Sequence, residues 1–198
     1  MGTGKTHTAK TIYHGLLQYY DKQIKSDLIK RKGLILAFTG KAAYNVGGVT
    51  VHSALRLSFG STKMVPLNYN TLDLLEKEYA HLKVLLIDEV SLIWYWMFFN
   101  IDKRLREIMH NATKPFCGLD VIFYGDFFQA QWVHDSWIFE NPKLHQQTFP
   151  YSFWTNNVRF YQLETVVRQN KKEFIDILYR MWTCSHTMND IELLNQHC

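Results

Sequence analysis

The sequence predicts an α/β sandwich built on a mainly parallel sheet, because two patterns alternate along the chain. Four short apolar runs have the length and composition of strands buried on both faces, and they cover residues 34–38, 84–87, 121–124 and 158–163. The last run is the weakest, because Arg159 and Gln162 interrupt it. Between the runs, apolar residues recur at helical spacing in residues 6–20, 71–82, 92–110 and 171–182. Alternating strands and helices require right-handed crossovers, which cover the sheet with helices.

Composition limits the class of protein. The chain has 198 residues, of which 47% are apolar, and this suits one domain with its own core. No apolar stretch is long enough to span a bilayer, so we expect no membrane partner. The formal net charge of +4 permits a nucleic-acid partner without arguing for one. The three cysteines form no close pair, which argues against a structural zinc site and a disulfide framework.

The first chemical motif is a phosphate-binding loop. Gly2, Thr3 and Gly4 precede Lys5 and Thr6 at the start of the first predicted helix. Glycines allow backbone N–H groups to face one point, and the helix N-terminus behind them attracts an anion. Lys5 can reach the β- and γ-phosphates of a nucleotide, and the Thr6 hydroxyl can bind Mg²⁺. The full pattern begins with a glycine that would precede the first residue, so we expect the motif to be truncated at the N-terminus.

The second motif is a pair of carboxylates at the end of a predicted strand. Asp88 and Glu89 directly follow the apolar run 84–87. Ligands of open α/β sheets bind at the carboxyl ends of the strands. Asp88 suits the water shell of Mg²⁺, and Glu89 suits a base that orients or deprotonates the attacking water. A structural role for these carboxylates, capping the next helix, is the alternative.

Two further residues complete the predicted site. Gln129 lies just after the run 121–124, where its amide could hydrogen-bond the γ-phosphate or its water. Arg168 could stabilise charge in the transition state, as arginine fingers do.

These motifs, taken in order, resemble the Pif (petite integration frequency) family of superfamily 1 DNA helicases, in the version carried by Helitron transposons. The segments that resemble it are GTGKT (2–6), TGKAAYNVGG (39–48), TVHSALRL (50–57), LLIDEVS (85–91), IDKRLREI (101–108), PFCGLDVIFYGDFFQ (115–129) and LETVVRQ (163–169). The resemblance implies a RecA-like P-loop NTPase fold, a three-layer sandwich. It implies ATP and Mg²⁺ as cofactors and 5′-to-3′ movement on single-stranded DNA. It also implies roles in DNA repair, recombination and telomere maintenance, and a nuclear or mitochondrial location.

The resemblance also assigns DNA contacts. Thr39, Gly40, Lys41 and His52 fall in segments that resemble the family's single-stranded DNA contacts. Small residues and backbone amides beside a lysine suit binding to phosphates without reading sequence. For His52, an ordinary structural histidine is the alternative.

The chain departs from the family pattern in two places. Phe38 stands where the family usually has proline. Residues 130–133 replace the family's usual leucine and paired prolines, a stretch that couples nucleotide state to DNA binding in relatives. Three tryptophans could stack on bases but are not predicted contacts: Trp132, Trp137 and Trp154.

We expect residues 1–198 to be the first RecA-like domain, without the first central strand that would precede the phosphate loop. The second RecA-like domain would follow residue 198, and full activity would need it. The chain alone should then bind nucleotide weakly and should not unwind DNA.

Two other functions compete with this prediction. A switch GTPase is a weak rival, because residues 170–173 only approach the guanine-reading motif of that class. The stronger rival is an inactive or binding-only remnant of a transposon-derived helicase. Nucleotide competition tests the first rival, and single-strand-stimulated ATP hydrolysis tests the second.

Overall fold

The computed structural model contains one parallel sheet of four strands. It describes residues 3–23, 31–58, 64–127, 138–139, 154, 157–163, 165 and 172–195. The strands are β1 (Gly33–Ala37), β2 (Val49–Thr50), β3 (Val84–Asp88) and β4 (Asp120–Phe123). They lie in the order β2-β1-β3-β4, and every pairing is parallel. The first three predicted strands are therefore confirmed, each within about one residue of its expected bounds.

Seven helices have both ends within the described part of the chain. They are α1 (Lys5–Gln23), α2 (Gly40–Val46), α3 (Val51–Leu55), α4 (Tyr69–Tyr79), α5 (Tyr95–Ile108), α6 (Lys172–Trp182) and α7 (Met188–Asn195). Side-chain oxygens of Thr39, Thr50 and Asn68 accept backbone N–H groups and so cap α2, α3 and α4. Two short 3-10 turns, Val90–Leu92 and Pro115–Gly118, follow β3 and α5.

Helices α1 to α5 form two layers, one on each face of the sheet. On the first face, Ala9 and Tyr13 of α1 pack against Val84 and Leu86 of β3, and α2 packs against Ala37 of β1. On the second face lies the main core, where α3, α4 and α5 pack against the alternate strand residues: Leu34, Leu36, Leu55, Tyr79, Leu85, Ile87, Phe98, Ile101 and Leu105. Because side chains alternate between faces along a strand, β3 is buried throughout. The predicted three-layer sandwich is confirmed.

The predicted strand at residues 158–163 is wrong. These residues form no helix or strand. Phe160 and Tyr161 are 74% and 79% exposed, although adjacent strand residues point to opposite faces, so the middle of this segment is covered on neither face. A strand also needs a hydrogen-bonded neighbour, and among the described strands this segment has none.

None of the helices in the described ranges combines the length and apolar character needed to cross a membrane.

Parallel pairing brings the functional segments to one edge of the sheet. Ala37 at the end of β1 is level with Asp88 of β3 and with Thr50 of β2. Ile87 is level with Phe123 at the end of β4. The loops that follow these strands therefore meet at the carboxyl edge, where ligands of open α/β sheets bind.

Candidate active site

The phosphate-binding loop leads directly into α1. Gly4 has φ 74°, a left-handed conformation that favours glycine, and its carbonyl accepts the Thr8 N–H at 3.0 Å. Lys5 and Thr6 follow in the first turn of the helix, where free N–H groups and the helix dipole favour an anion. Gly2 lies outside the described residues, so the described cradle begins at Thr3.

Lys5 lies among the carboxylates that follow β3 and β4. Its Nζ is 3.9 Å from Oδ2 of Asp126, and its side chain is 26% exposed. Its charge also lowers the pKa of both Asp88 and Glu89, although other effects dominate there. The structure therefore brings the phosphate loop and the Asp88–Glu89 pair together at one edge of the sheet.

Asp88 is a buried carboxylate suited to a cation. It ends β3 and is 8% exposed. Burial raises the pKa of Asp88, and the Glu89 backbone N–H, Lys5 and Lys10 oppose that shift. A divalent cation would favour the charged form of Asp88. The Thr6 hydroxyl, one residue after Lys5, is a second oxygen donor. These oxygen donors fit Mg²⁺, which keeps several waters and needs few protein ligands. Within the described ranges, no cluster of three or more histidines, cysteines and acids could hold a metal.

Glu89 has the features expected of a base. Its backbone is left-handed, with φ 51° and ψ 46°, which costs a non-glycine residue about 1–2 kcal/mol. Its side chain makes no capping hydrogen bond to the turn that follows, contrary to the structural alternative. Oε2 is buried and has no hydrogen-bond partner among the described residues. Burial raises the pKa of Glu89, and the charges of Asp88 and Asp126 add to the effect.

Asp126 is a site residue that the sequence did not assign. It is 7% exposed and lies just beyond β4. One carboxylate oxygen faces Lys5, and the other accepts the Trp182 indole N–H at 3.2 Å. The signal was present in the sequence, since Asp126 follows Gly125 directly after a predicted strand. Trp182, 56 residues further along, gave no such signal.

Several predicted or considered residues fall outside the described part of the chain. They are Gly2, Gln129 and Arg168 of the predicted nucleotide site, and Trp132 and Trp137 among the considered aromatic residues. Trp154 is described, and it packs half-buried against Phe98 and Phe123.

The predicted DNA-contacting residues share the same carboxyl edge. Thr39 and Lys41 are exposed at the start of α2, and the Thr39 side chain accepts the Ala42 N–H at 3.2 Å. His52 lies in α3, with its ring 5.5 Å from that of Phe38. Burial lowers the pKa of His52, which favours its neutral form at neutral pH. Of this group, Lys41 is the side chain that can offer a positive charge to phosphate.

Comparison with known proteins decides the family. The sequence model of the PIF1-like helicase family matches residues 1–185. The chain belongs to the PIF1-like helicase family. The ATP-dependent DNA helicase PIF1 of Emericella nidulans is 32% identical over an alignment of 191 positions, which covers 91% of this chain and 23% of that protein. The chain therefore spans less than a quarter of the length of the Emericella nidulans protein.

Solved structures of PIF1-like helicases have the same fold. The crystal structure of Bacteroides Pif1 bound to single-stranded DNA has a TM-score of 0.70 and 24% identity, covering 98% of this chain and 44% of that one. Bacteroides Pif1 in complex with ADP-AlF3 and single-stranded DNA has a TM-score of 0.66 and 25% identity, covering 98% and 43%. The RecA-like fold implied by the sequence motifs is confirmed.

Proposed function

We propose that this chain is the ATP-binding motor domain of an ATP-dependent DNA helicase that moves 5′ to 3′ along single-stranded DNA. One observation supports this proposal most directly. The Lys5 ammonium lies 3.9 Å from Asp126, and its positive charge lowers the pKa of both Asp88 and Glu89. A cation beside three carboxylates at a helix N-terminus is an arrangement that a Mg²⁺–triphosphate complements.

In this proposal the chain's own residues bind and orient the nucleotide. Backbone N–H groups around Gly4 and the first turn of α1 hold the phosphates, and Lys5 neutralises the β- and γ-oxygens. Asp88 and Thr6 would hold Mg²⁺, which supplies charge neutralisation at the transferred phosphoryl group when bound. Glu89 takes the proton of the attacking water. Its raised pKa makes it a better proton acceptor than an exposed glutamate.

We also assign Gln129 to the γ-phosphate and Arg168 to the charge of the transition state, on the strength of their motifs. The DNA would cross the carboxyl edge at Thr39, Gly40, Lys41 and His52. A cationic side chain beside a helix N-terminus suits phosphate contacts that do not depend on sequence. The Bacteroides Pif1 structure in complex with ADP-AlF3 and single-stranded DNA, 25% identical to this chain, supports this partner class.

Full activity would belong to a larger assembly. The relative from Emericella nidulans is more than four times as long as the matched segment, since that segment is 23% of it. We propose that translocation needs a second RecA-like domain, which would close on the nucleotide. Roles in repair, recombination and telomere maintenance, in the nucleus or the mitochondrion, follow from family membership as part of the same proposal.

The test is ATP hydrolysis, with and without single-stranded DNA, by a protein in which residues 1–198 are joined to the second RecA-like domain that the proposal requires. We expect DNA to stimulate hydrolysis. Removing the phosphate-binding cation by Lys5→Ala, or the base by Glu89→Gln, should each lower kcat by about 100-fold or more. Lys22→Ala and Glu192→Gln make the same chemical changes at exposed positions and should leave kcat unchanged.

Each outcome separates the competing functions. Equal hydrolysis by all five proteins would mean that the site assignment is wrong. Single-strand binding without hydrolysis by the wild type would favour a binding-only remnant. A preference for GTP over ATP in competition would favour a switch GTPase.

A further inference from the structure

Asp126 joins two parts of the molecule that are far apart in sequence. Its side chain is 6% exposed, and its Oδ2 lies 3.9 Å from the Lys5 ammonium. Its Oδ1 accepts the indole N–H of Trp182, the last residue of α6, at 3.2 Å. One nearly buried carboxylate thus contacts both the phosphate loop and a C-terminal helix.

Helix α6 is joined in turn to α7. Arg180, two residues before Trp182, donates through Nε to Asp190 at 2.9 Å and pairs with the same carboxylate through Nη2. Asp190 also accepts the Thr187 backbone N–H at 2.9 Å and donates its own N–H to the Thr187 hydroxyl, which forms the reciprocal cap of α7. The end of α6 and the start of α7 are therefore held as one unit, and Trp182 connects that unit to the nucleotide site.

We propose that Asp126 is a positioning residue for Lys5 and the link through which α6 and α7 respond to nucleotide. The proposal rests on the proposed function, because Lys5 must bind phosphate. Without nucleotide, Asp126 holds the Lys5 ammonium near the phosphate loop.

Competition for Lys5 is the physical basis of the link. Nucleotide phosphates are stronger acceptors for an ammonium than one carboxylate 3.9 Å away, since they offer more charge and more oxygens. When Lys5 turns to phosphate, Asp126 loses the neutralisation that the Lys5 ammonium provides, in a poorly solvated position. The Asp126 carboxylate then carries more uncompensated negative charge. Its hydrogen bond from the Trp182 N–H therefore becomes shorter. Movement of Trp182 is passed to α7 through Arg180.

The test follows Trp182 directly, by fluorine NMR of the protein labelled with 5-fluorotryptophan. Trp182→Phe removes one signal of the six tryptophans and so assigns it. We expect Lys5→Met to move the Trp182 signal by more than its line width without any nucleotide. Lys10→Met is the matched control, because Lys10 lies on the same helix and donates to the Asn45 carbonyl at 3.1 Å instead.

Asp126→Asn separates charge from hydrogen bonding. The asparagine keeps an acceptor oxygen for Trp182 but offers no charge to Lys5, so Lys5→Met should no longer move the signal in this background. If Lys5→Met leaves the Trp182 signal unchanged in the wild-type background, Asp126 does not link Lys5 to Trp182, whatever signal the Asp126→Asn protein shows.

Addition of Mg²⁺ and ATPγS extends the test, with binding followed by calorimetry. We expect the Trp182 signal to shift in proportion to the bound fraction in the wild type and to stay fixed in Asp126→Asn. Bound nucleotide with an unchanged Trp182 signal overturns this proposal and leaves the proposed function intact. Absence of nucleotide binding when the second RecA-like domain is also present removes the proposed function, while the Lys5→Met comparison still decides whether Lys5 and Trp182 are linked.

Discussion

The backbone N–H of Val90 donates to the carbonyl of Tyr124 at 2.8 Å, one step beyond the last strand pairing of β3 and β4. This bond joins the loop that contains Glu89 to the loop that contains Asp126. The two loops are in direct contact at Gly125, where an added Cβ would lie 2.9 Å from the Val90 backbone nitrogen. The distance between the Glu89 and Asp126 carboxylates therefore depends on how closely the backbones of Val90 and Gly125 approach each other.

Gly125→Ala should separate these loops. The new Cβ would also meet Val90 Cγ1 at 2.9 Å, closer than real Cβ contacts come, and the Ser91 nitrogen at a tight 3.1 Å. Because two of these atoms are backbone, the Glu89 turn must shift. We expect a loss of about 1–3 kcal/mol in the free energy of unfolding, measured by urea denaturation, and a large fall in ATP hydrolysis.

Gly15→Ala is the matched control for that substitution. Gly15 lies within α1, and nothing lies within 4 Å of an added Cβ. Alanine should stabilise the helix by about 0.5–1 kcal/mol and leave hydrolysis unchanged. An active and fully stable Gly125→Ala protein would show that the two loops have more freedom than this contact allows.

Glu89→Gln should stabilise the nucleotide-free protein at neutral pH. Burial raises the pKa of Glu89 above its ordinary 4.5, so the folded state holds the proton more tightly than the unfolded chain does. The stabilisation that comes from this tighter proton binding at Glu89 is present below pH 4.5, and it is lost as the pH rises through the pKa of Glu89 in the folded state. Glutamine is uncharged at every pH, so the melting temperature of the variant should exceed that of the wild type near neutrality and match it in acid. A lower melting temperature of the variant at neutral pH would show that the carboxylate is paired in solution.

The sheet was predictable because its signals are local. An apolar run of about five residues that has a carboxylate or glycine directly at one end is specific enough to identify β1, β3 and β4 in order. Helices α2 and α3 have seven and five residues, too few for helical periodicity to appear. They begin instead at the capping threonines Thr39 and Thr50, which were visible in the sequence but were interpreted only as parts of family motifs.

The candidate site was only partly predictable, for a different reason. Lys5, Asp88 and Glu89 belong to motifs in which spacing implies chemistry. Asp126 became a site residue through tertiary packing, and Trp182 meets it only because α6 returns to the carboxyl edge. Contacts between residues this far apart in sequence leave no periodic trace.

Lys41→Ala should reduce the salt dependence of single-strand binding. Lys41 is exposed in the first turn of α2 and is the predicted DNA contact with a positive charge. If it neutralises one phosphate, the slope of the logarithm of affinity against the logarithm of salt concentration should become shallower by about 0.7. Fluorescence anisotropy over a salt series measures the slope. Lys103→Ala, at an exposed position of α5, should leave the slope unchanged, and equal slopes for all three proteins would remove Lys41 from the DNA surface.

His52→Gln should leave single-strand affinity unchanged from about pH 8 to about pH 6.5, because a neutral imidazole adds no charge to a phosphate contact. The same substitution should also change how stability depends on pH. Burial lowers the pKa of His52 below its ordinary 6.5, so the folded state binds a proton on His52 less well than the unfolded chain does. Protonation therefore favours unfolding as pH falls below 6.5, and the glutamine variant should lose less stability than the wild type in that range. Denaturation at about pH 8 and about pH 5.5 measures the difference. Wild-type affinity that rises on acidification, with a rise that His52→Gln abolishes, would instead mean that bound DNA holds the proton on His52. The ring would then be a cationic contact despite its burial beside Phe38.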